Sequence, residues 1–147
     1  LLIDDDPLFI ECCEPMLTER GYSVRAIDDE RKTDVMIEEF RPALAIVDQK
    51  LRFMMGHELI EHVRRTLPHV PFIIISALPE WVPDSCIGIP VVGKMPCSDF
   101  DLRLLREVRA AIGYPDGQQR NHGSGLARVA QISRRAIAGF AILCGRP

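Results

Sequence analysis

Residues 43–50 read ALAIVDQK, a short apolar run that ends on the ionisable residue Asp48. The apolar part of the run predicts a strand in the interior of the protein. A carboxylate at the end of such a strand needs an explanation, because carboxylates are seldom buried without a partner. The rest of the chain supplies one, since polar residues follow three further apolar runs in the same way.

Short apolar runs alternate along the chain with longer amphipathic segments. This alternation predicts an α/β protein in which helices cover both faces of a parallel β-sheet. The five predicted strands are LLI (1–3), YSVRAI (22–27), ALAIV (43–47), PFIII (71–75) and IPVV (89–92).

The first predicted helix follows the run LLI. Asp6 is a suitable N-cap and Pro7 a suitable first helical residue. Gly21 is expected to end the helix, and apolar residues at helical spacing predict one inward stripe. The stripe is expected to consist of Leu8, Cys12, Met16 and Leu17.

Three further helices are predicted at about 30–40, 57–66 and 99–112. The segment between Ser76 and Ile89 is short and contains two prolines, so any helix there has one or two turns at most. The last helix should turn one apolar face toward the sheet. That face is expected to hold Leu102, Leu105, Val108 and either Ala111 or Ile112.

The chain has 147 residues, enough for one domain with a substantial core. Its apolar runs are too short to span a bilayer and its start lacks the pattern of a signal peptide, so we expect a cytoplasmic location. Five cysteines without a CxxC spacing predict free thiols rather than disulfides or a zinc site. Because the chain starts without methionine and its first strand is short, we expect that an N-terminal piece is missing.

Charge divides the chain into two parts. Residues 1–116 carry 13 Lys/Arg and 21 Asp/Glu, whereas residues 117–147 carry five Arg and no acidic residue. The change predicts a folded domain over 1–114 and a basic C-terminal extension over 115–147. We expect this extension to be either disordered or a single helix.

Polar residues at the carboxyl ends of the strands should converge, since open α/β sheets bind ligands at that edge. Asp4 and Asp5 follow the first run, Asp48 the third, Ser76 the fourth and Lys94 the fifth. At an effective dielectric constant of about 20, two carboxylates about 4 Å apart repel each other by on the order of 4 kcal/mol. Three of them therefore need a cation. Oxygen ligands without adjacent His or Cys favour Mg²⁺, and Lys94 adds a second positive charge.

These groups match what phosphoryl transfer to an aspartate requires. Asp48 would attack as the nucleophile, and Ser76 would donate a hydrogen bond to one of the transferring oxygens. The metal and Lys94 would neutralise the charge on those oxygens. The charged end of ALAIVD is therefore interpreted as the nucleophile.

Four motifs stand in one order along the chain: LLIDD (1–5), LAIVDQKL (44–51) followed by Gly56, FIIISAL (72–78) and VVGK (91–94). In this order and spacing they resemble a two-component response-regulator receiver domain, and the resemblance runs from Leu1 to about Tyr114. It implies a doubly wound, flavodoxin-like sheet of five parallel strands in the order 2-1-3-4-5, here with a short fourth helix. The chain departs from the family pattern at Arg52, where proline is usual, and after Lys94, which the family usually follows with proline.

The resemblance also implies a role for each candidate site residue. Asp48 would be the phospho-acceptor, and Asp5 and Asp48 would bind Mg²⁺ directly while Asp4 assists, for instance through a water molecule. The backbone carbonyl of Lys50 would be a further ligand. The remaining two candidates, Ser76 and Lys94, would sense the phosphoryl group and change the surface of the fourth helix, fifth strand and fifth helix.

Partners follow from the same resemblance. The phosphoryl donor would be a sensor histidine kinase or a phosphotransfer protein, and the downstream partner is a protein that the sequence does not identify. Such a domain is not a conventional enzyme, although it would catalyse its own phosphorylation and dephosphorylation. No contact with nucleic acid or a membrane is expected from it, and homodimer formation is left open.

Two other functions stay open. A pseudo-receiver would keep the fold as a docking module without being phosphorylated; the departure after Lys94 and the short fourth helix favour it, and the retained acid, hydroxyl and lysine set opposes it. A haloacid-dehalogenase-type phosphatase would use Asp4 and Asp6 with Ser76 and Lys94. That alternative leaves Asp48 unexplained.

Overall fold

A computed structural model of the chain describes residues 1–94 and 99–113. The predicted basic extension over 115–147 lies outside the described residues, as does Met95. The boundary predicted at residue 114 therefore stays a prediction.

The sheet has five parallel strands, and its order along the sheet is second, first, third, fourth, fifth. This confirms the predicted α/β class and the flavodoxin-like strand order. The first, second, third and fifth strands are shorter than the apolar runs that predicted them, and the fourth has the same length as its run. The third and fourth strands extend to the polar residues at their ends. The strands are β1 Leu2–Ile3, β2 Ala26–Ile27, β3 Ala45–Asp48, β4 Phe72–Ser76 and β5 Val91–Gly93.

Helices connect the strands as the amphipathic segments predicted. The N-cap prediction for the first helix is confirmed, because the Asp6 side chain accepts hydrogen bonds from the backbone N–H groups of Leu8 and Phe9 at 3.0 and 3.4 Å. The α-helices are α1 Pro7–Thr18, α2 Thr33–Phe40, α3 Gly56–Thr66 and α4 Phe100–Ile112.

Single 3-10 turns complete the described part of the chain. One of them, Glu30–Lys32, leads into α2, so the helix predicted at about 30–40 is divided in two. The other two, Pro79–Trp81 and Asp84–Cys86, are the only helical turns between β4 and β5. The prediction of a short fourth helix is thus met by two 3-10 turns, which is what two prolines in a short segment allow.

The core has two layers, one on each face of the sheet. Successive residues of a strand point to opposite faces, so Ile74 packs in the layer of α2 and α3 while Ile73 and Ile75 pack in the layer of α1 and α4. All three isoleucines are fully buried. Burial on both faces explains why the strands read as continuous apolar runs rather than as alternating ones.

The predicted inward faces of the first and last helices are partly wrong. Leu8 is 49% exposed and Leu102 is 60% exposed. The sequence has apolar residues at adjacent positions in both helices, so more than one stripe was possible, and contact with the sheet selected a stripe that includes Phe9 and Leu104. The buried residues are Phe9, Cys13, Met16 and Leu17 in α1, and Phe100, Leu104, Leu105 and Val108 in α4.

The first residue of α3, Gly56, lies against the end of β3. A Cβ atom on Gly56 would overlap the backbone oxygen of Asp48 and lie 3.0 Å from the Cα of Gln49. We expect Gly56→Ala to lower the free energy of unfolding by at least about 1 to 3 kcal/mol, the usual cost of overpacking. Urea-induced unfolding measures this change.

Gly93→Ala is the matched control for this prediction. The nearest atom to a Cβ on Gly93 is the Cγ of Pro79 at 3.5 Å, an ordinary van der Waals contact. Equal unfolding midpoints for the two variants would contradict the close approach of α3 to β3.

Candidate functional site

The carboxyl ends of β1, β3, β4 and β5 lie at one edge of the sheet and bring the predicted site residues together. Asp48 pairs in register with Ile75, the residue before Ser76. The backbone N–H of Lys94 donates to the carbonyl of Ser76 at 2.7 Å. Strand pairing therefore fixes Asp48, Ser76 and Lys94 at the same level of the sheet.

Three carboxylates form an acidic cluster at this edge. One carboxylate oxygen from each of Asp4, Asp5 and Asp48 can be chosen so that the three atoms lie within 4.8 Å of one another. Asp4 is 1% exposed and Asp48 6% exposed, so neither can rely on water for solvation. The donor set consists of oxygen atoms alone and fits a hard cation such as Mg²⁺.

Lys94 supplies a positive charge inside the cluster. Its Nζ atom lies 2.9 and 2.8 Å from the two carboxylate oxygens of Asp4 and 3.4 Å from Oδ1 of Asp48. It also lies 4.6 Å from the centre of the Phe9 ring, in a cation–π contact. Burial lowers the pKa of Lys94, but the hydrogen bond and charge of Asp4, with the charge of Asp48, outweigh it and raise the pKa.

Burial is the largest cause of the pKa shifts of Asp4 and Asp48. It raises the pKa of Asp4, although the hydrogen bond and charge of Lys94 oppose the rise. Burial likewise raises the pKa of Asp48 to about 6; the charge of Lys94 opposes this rise, and the charge of Asp4 adds to it. Asp48 is therefore mostly ionised above pH 7 and mostly protonated below pH 5.

Ser76 and Lys50 border the cluster. The Ser76 side chain is buried, and its Oγ atom accepts a hydrogen bond from the backbone N–H of Leu78 at 3.1 Å, which leaves the hydroxyl hydrogen unused in that bond. The backbone N–H of Lys50 donates to Oδ2 of Asp48 at 3.2 Å. Lys50 also pairs with Met55 in an isolated antiparallel bridge, which closes the loop after β3.

Sequence reasoning missed two residues near the site, Phe9 and Glu30. Phe9 was placed outside the predicted stripe of α1, yet it is buried and contacts Lys94. Glu30 belongs to a run of charged residues that reads as a solvated surface, yet it is 4% exposed and bonds to the loop after β3. Neither residue has a signal in a single sequence that would separate it from its neighbours.

The alternative phosphatase set is only partly assembled. Asp6 would be its second acid, but its carboxylate caps α1 through the N–H groups of Leu8 and Phe9. Asp48, which that alternative does not use, lies within the acidic cluster.

Across the part of the chain that the structure describes, no helix has the length and apolar character needed to cross a membrane.

Comparison with protein families gives a match over more than half of the chain. The model of the response regulator receiver domain matches residues 1–82. The two-component response regulator PhoP of Pseudomonas aeruginosa is 28% identical over 120 residues, which are 78% of this chain and 53% of that protein. The virulence transcriptional regulatory protein PhoP of Salmonella typhimurium is 30% identical over 81 residues, 55% of this chain and 36% of that protein. The match thus spans about half or less of the length of these relatives.

Solved structures show the same fold at lower identity. The response regulator protein TrrA of Thermotoga maritima, crystallised in complex with Mg²⁺–BeF, superposes with a TM-score of 0.67 at 20% identity, over 76% of this chain and 96% of that one. The chemotaxis response regulator CheY4 of Vibrio cholerae gives a TM-score of 0.64 at 20% identity, over 76% and 95% of the two chains.

The raised pKa of Asp48 predicts a pH-dependent stability in EDTA, where no divalent cation is bound. The folded protein binds the Asp48 proton up to about pH 6, whereas an unfolded chain releases it near pH 3.9. The free energy of unfolding therefore falls as the pH rises through this window. Above pH 6 we expect Asp48→Asn to be more stable than the wild type by about 2 to 3 kcal/mol, since one pKa unit corresponds to about 1.4 kcal/mol.

Urea unfolding of both proteins between pH 4 and pH 8 measures this difference, which should shrink toward pH 4. Asp28→Asn is the control, because the Asp28 side chain is 64% exposed. A stability difference that does not change with pH would contradict the burial of an ionised Asp48.

The contacts of Lys94 predict that it weakens the binding of a divalent cation. A unit charge about 6 Å from such an ion costs on the order of 1 to 2 kcal/mol even at the dielectric constant of water. We therefore expect Lys94→Met to bind Mg²⁺ roughly tenfold more tightly than the wild type. The metal-free variant should also be less stable, because Asp4 loses its partner.

Calorimetric titration with Mg²⁺ measures the affinity. Lys32→Met removes the same charge from a side chain that is 62% exposed, so it should leave the affinity nearly unchanged. Weaker Mg²⁺ binding by Lys94→Met would show that Lys94 supports the cation instead of competing with it.

Proposed function

Because this chain belongs to the family of response regulator receiver domains, we propose that it accepts a phosphoryl group on Asp48 from the phosphohistidine of a sensor kinase or a phosphotransfer protein. One observation carries the proposal. Three carboxylates, a serine hydroxyl and a lysine ammonium from four different strand ends meet at one edge of the sheet. The four strand ends are far apart in sequence, so it is the fold that brings these groups together.

Asp48 is the proposed nucleophile. Its pKa of about 6 leaves the carboxylate ionised at neutral pH, and the N–H of Lys50 holds its Oδ2 atom. A carboxylate oxygen of Asp48 forms a bond to phosphorus while the P–N bond to the donor imidazole breaks, and the imidazole leaves with the electron pair. The product is an acyl phosphate on the protein.

Mg²⁺ is the proposed cofactor because the acidic cluster offers only oxygen ligands. Asp5 and Asp48 with the backbone carbonyl of Lys50 would hold the ion, and Asp4 would assist. Bound there, Mg²⁺ would neutralise charge on the transferring oxygens.

Lys94 and Ser76 are proposed to hold the phosphoryl group once it is attached. The Nζ atom of Lys94 already lies 3.4 Å from Asp48, so it can pair with an oxygen on that side chain by a small movement. The Ser76 hydroxyl can donate to another such oxygen, because its present hydrogen bond to the Leu78 N–H uses it only as an acceptor. The same residues would support release of the phosphoryl group to water.

A docking module that is never phosphorylated is the second candidate. It is favoured by the charge of Lys94, which partly neutralises the cluster without a metal, and by the 3-10 turns that stand between β4 and β5. The downstream partner, a homodimer and a cytoplasmic location stay predictions under either function.

Intact-mass analysis after incubation with acetyl phosphate tests the proposal. We expect a phosphoryl adduct that forms only with Mg²⁺, is lost in Asp48→Asn, and is released by hydroxylamine as an acyl phosphate would be. The isosteric asparagine keeps the volume of the side chain but removes the nucleophile.

Asp28→Asn is the matched control, since it makes the same chemical change at a mostly exposed side chain and should keep the adduct. A folded wild-type protein that forms no adduct would favour the docking module. An adduct that persists in Asp48→Asn would place the acceptor on another residue.

A further inference from the structure

Glu30 is a buried carboxylate outside the acidic cluster. Although it lies in the charged segment before α2, it is only 4% exposed. Its Oε1 atom accepts a hydrogen bond from the backbone N–H of Phe53, and its Oε2 atom has no hydrogen-bond partner in the described part of the chain. An unsatisfied buried oxygen costs on the order of 1 to 3 kcal/mol, so this arrangement needs a reason.

The neighbouring residue, Arg31, contacts the same phenylalanine from another direction. Its guanidinium lies 4.3 Å from the centre of the Phe53 ring. Asp29 fixes this guanidinium through two hydrogen bonds of 2.9 Å. Phe53 is therefore held by its backbone through Glu30 and by its ring through Arg31, and we call Glu30 and Arg31 the Phe53 clamp.

Phe53 lies in the middle of the loop that follows Asp48. The two ends of this loop are tied together, because the Gly56 N–H donates to the Gln49 carbonyl at 2.9 Å. The middle is not held by burial, since Phe53 is 56% exposed. Apart from the clamp, the middle of the loop has a weak ion pair in which Arg52 lies 4.0 Å from Asp5.

We propose that the Phe53 clamp is a positioning device that holds this loop over the acidic cluster. The loop contains Lys50, whose carbonyl is a proposed metal ligand, and Arg52, which contacts Asp5. Neither Glu30 nor Arg31 touches the reacting atoms, so both act through the loop. The inference rests on the proposed function in one respect, namely that a divalent cation binds to the cluster.

The test compares three substitutions in the same turn. Glu30→Met removes the acceptor and keeps the length of the side chain, whereas Glu30→Gln keeps an acceptor oxygen with the same loss of charge. Arg31→Met removes the cation over the ring together with its hydrogen bonds to Asp29. Asp28→Asn is the control, because it changes a mostly exposed carboxylate next to the turn.

The first readout is the NMR signal of the Phe53 backbone amide in the metal-free protein. In the wild type we expect this amide to be shifted downfield and protected from hydrogen exchange. Glu30→Met should lose both signatures, and Glu30→Gln should keep most of them. This readout depends on neither metal nor phosphoryl group.

The second readout is a Mg²⁺ titration of the loop amides without a phosphodonor. We expect Glu30→Met to need roughly tenfold more Mg²⁺ for half-saturation, at the lower end of the loss seen when a group that orients a metal ligand directly is removed. Glu30→Gln and Asp28→Asn should stay near the wild type. Arg31→Met should shift the titration in the same direction by a smaller factor, and it carries the test if Glu30→Met does not fold.

An unchanged titration of a folded Glu30→Met whose Phe53 amide has lost its protection would overturn the proposal. Equal shifts for Glu30→Met and Glu30→Gln would also overturn it, since they would trace the effect to charge and not to the hydrogen bond. A wild type that binds Mg²⁺ but accepts no phosphoryl group would refute the proposed function. The Mg²⁺ titration would still test whether the Phe53 clamp positions the loop.

Discussion

Repulsion among three carboxylates is the constraint on which the rest of the site depends, and the positive charge of Lys94 partly offsets this repulsion. The side chains of Lys94, Asp4 and Asp48 are 15%, 1% and 7% exposed, so solvent and salt screen their interactions only weakly. Lys94 donates a hydrogen bond to one carboxylate oxygen of Asp4, forms an ion pair with the other and lies near Asp48. A cation or a phosphoryl group that enters the site must therefore redistribute these contacts, which couples binding at the cluster to the position of the residue that follows β5.

Parallel strand pairing holds the side chains of the site in fixed relative positions. The central strands β3 and β4 are buried on both faces, and their register sets Asp48 beside Ile75 and Ser76 beside Gly93. The loop after β3 is held more lightly, by its closed ends and by the contacts to Phe53. The site thus combines acids on a stiff sheet with a loop whose position depends on a few polar contacts.

The connection between β4 and β5 is where this domain differs most from a regular alternation of strands and helices. Two 3-10 turns leave Trp81 74% exposed and Ile87 85% exposed. Leu78, at the start of this connection, is tied to the Ser76 hydroxyl. Under the proposed function, a movement of Ser76 toward the phosphoryl group would alter this hydrogen bond and with it the first residues of the connection, which lead to the exposed apolar side chains.

The α/β class, the positions of the helices and the candidate residues Asp4, Asp5, Asp48, Ser76 and Lys94 could be predicted from the sequence alone. Apolar periodicity reports burial, and the carboxyl ends of parallel strands must meet at one edge whatever the details of packing. The inward faces of α1 and α4 could not be predicted in full, because several apolar stripes overlap in each helix. The partners of Lys94 and the burial of Glu30 were decided only by the tertiary structure. Both depend on contacts between segments distant in sequence, where a charged residue reads the same whether it is solvated or paired.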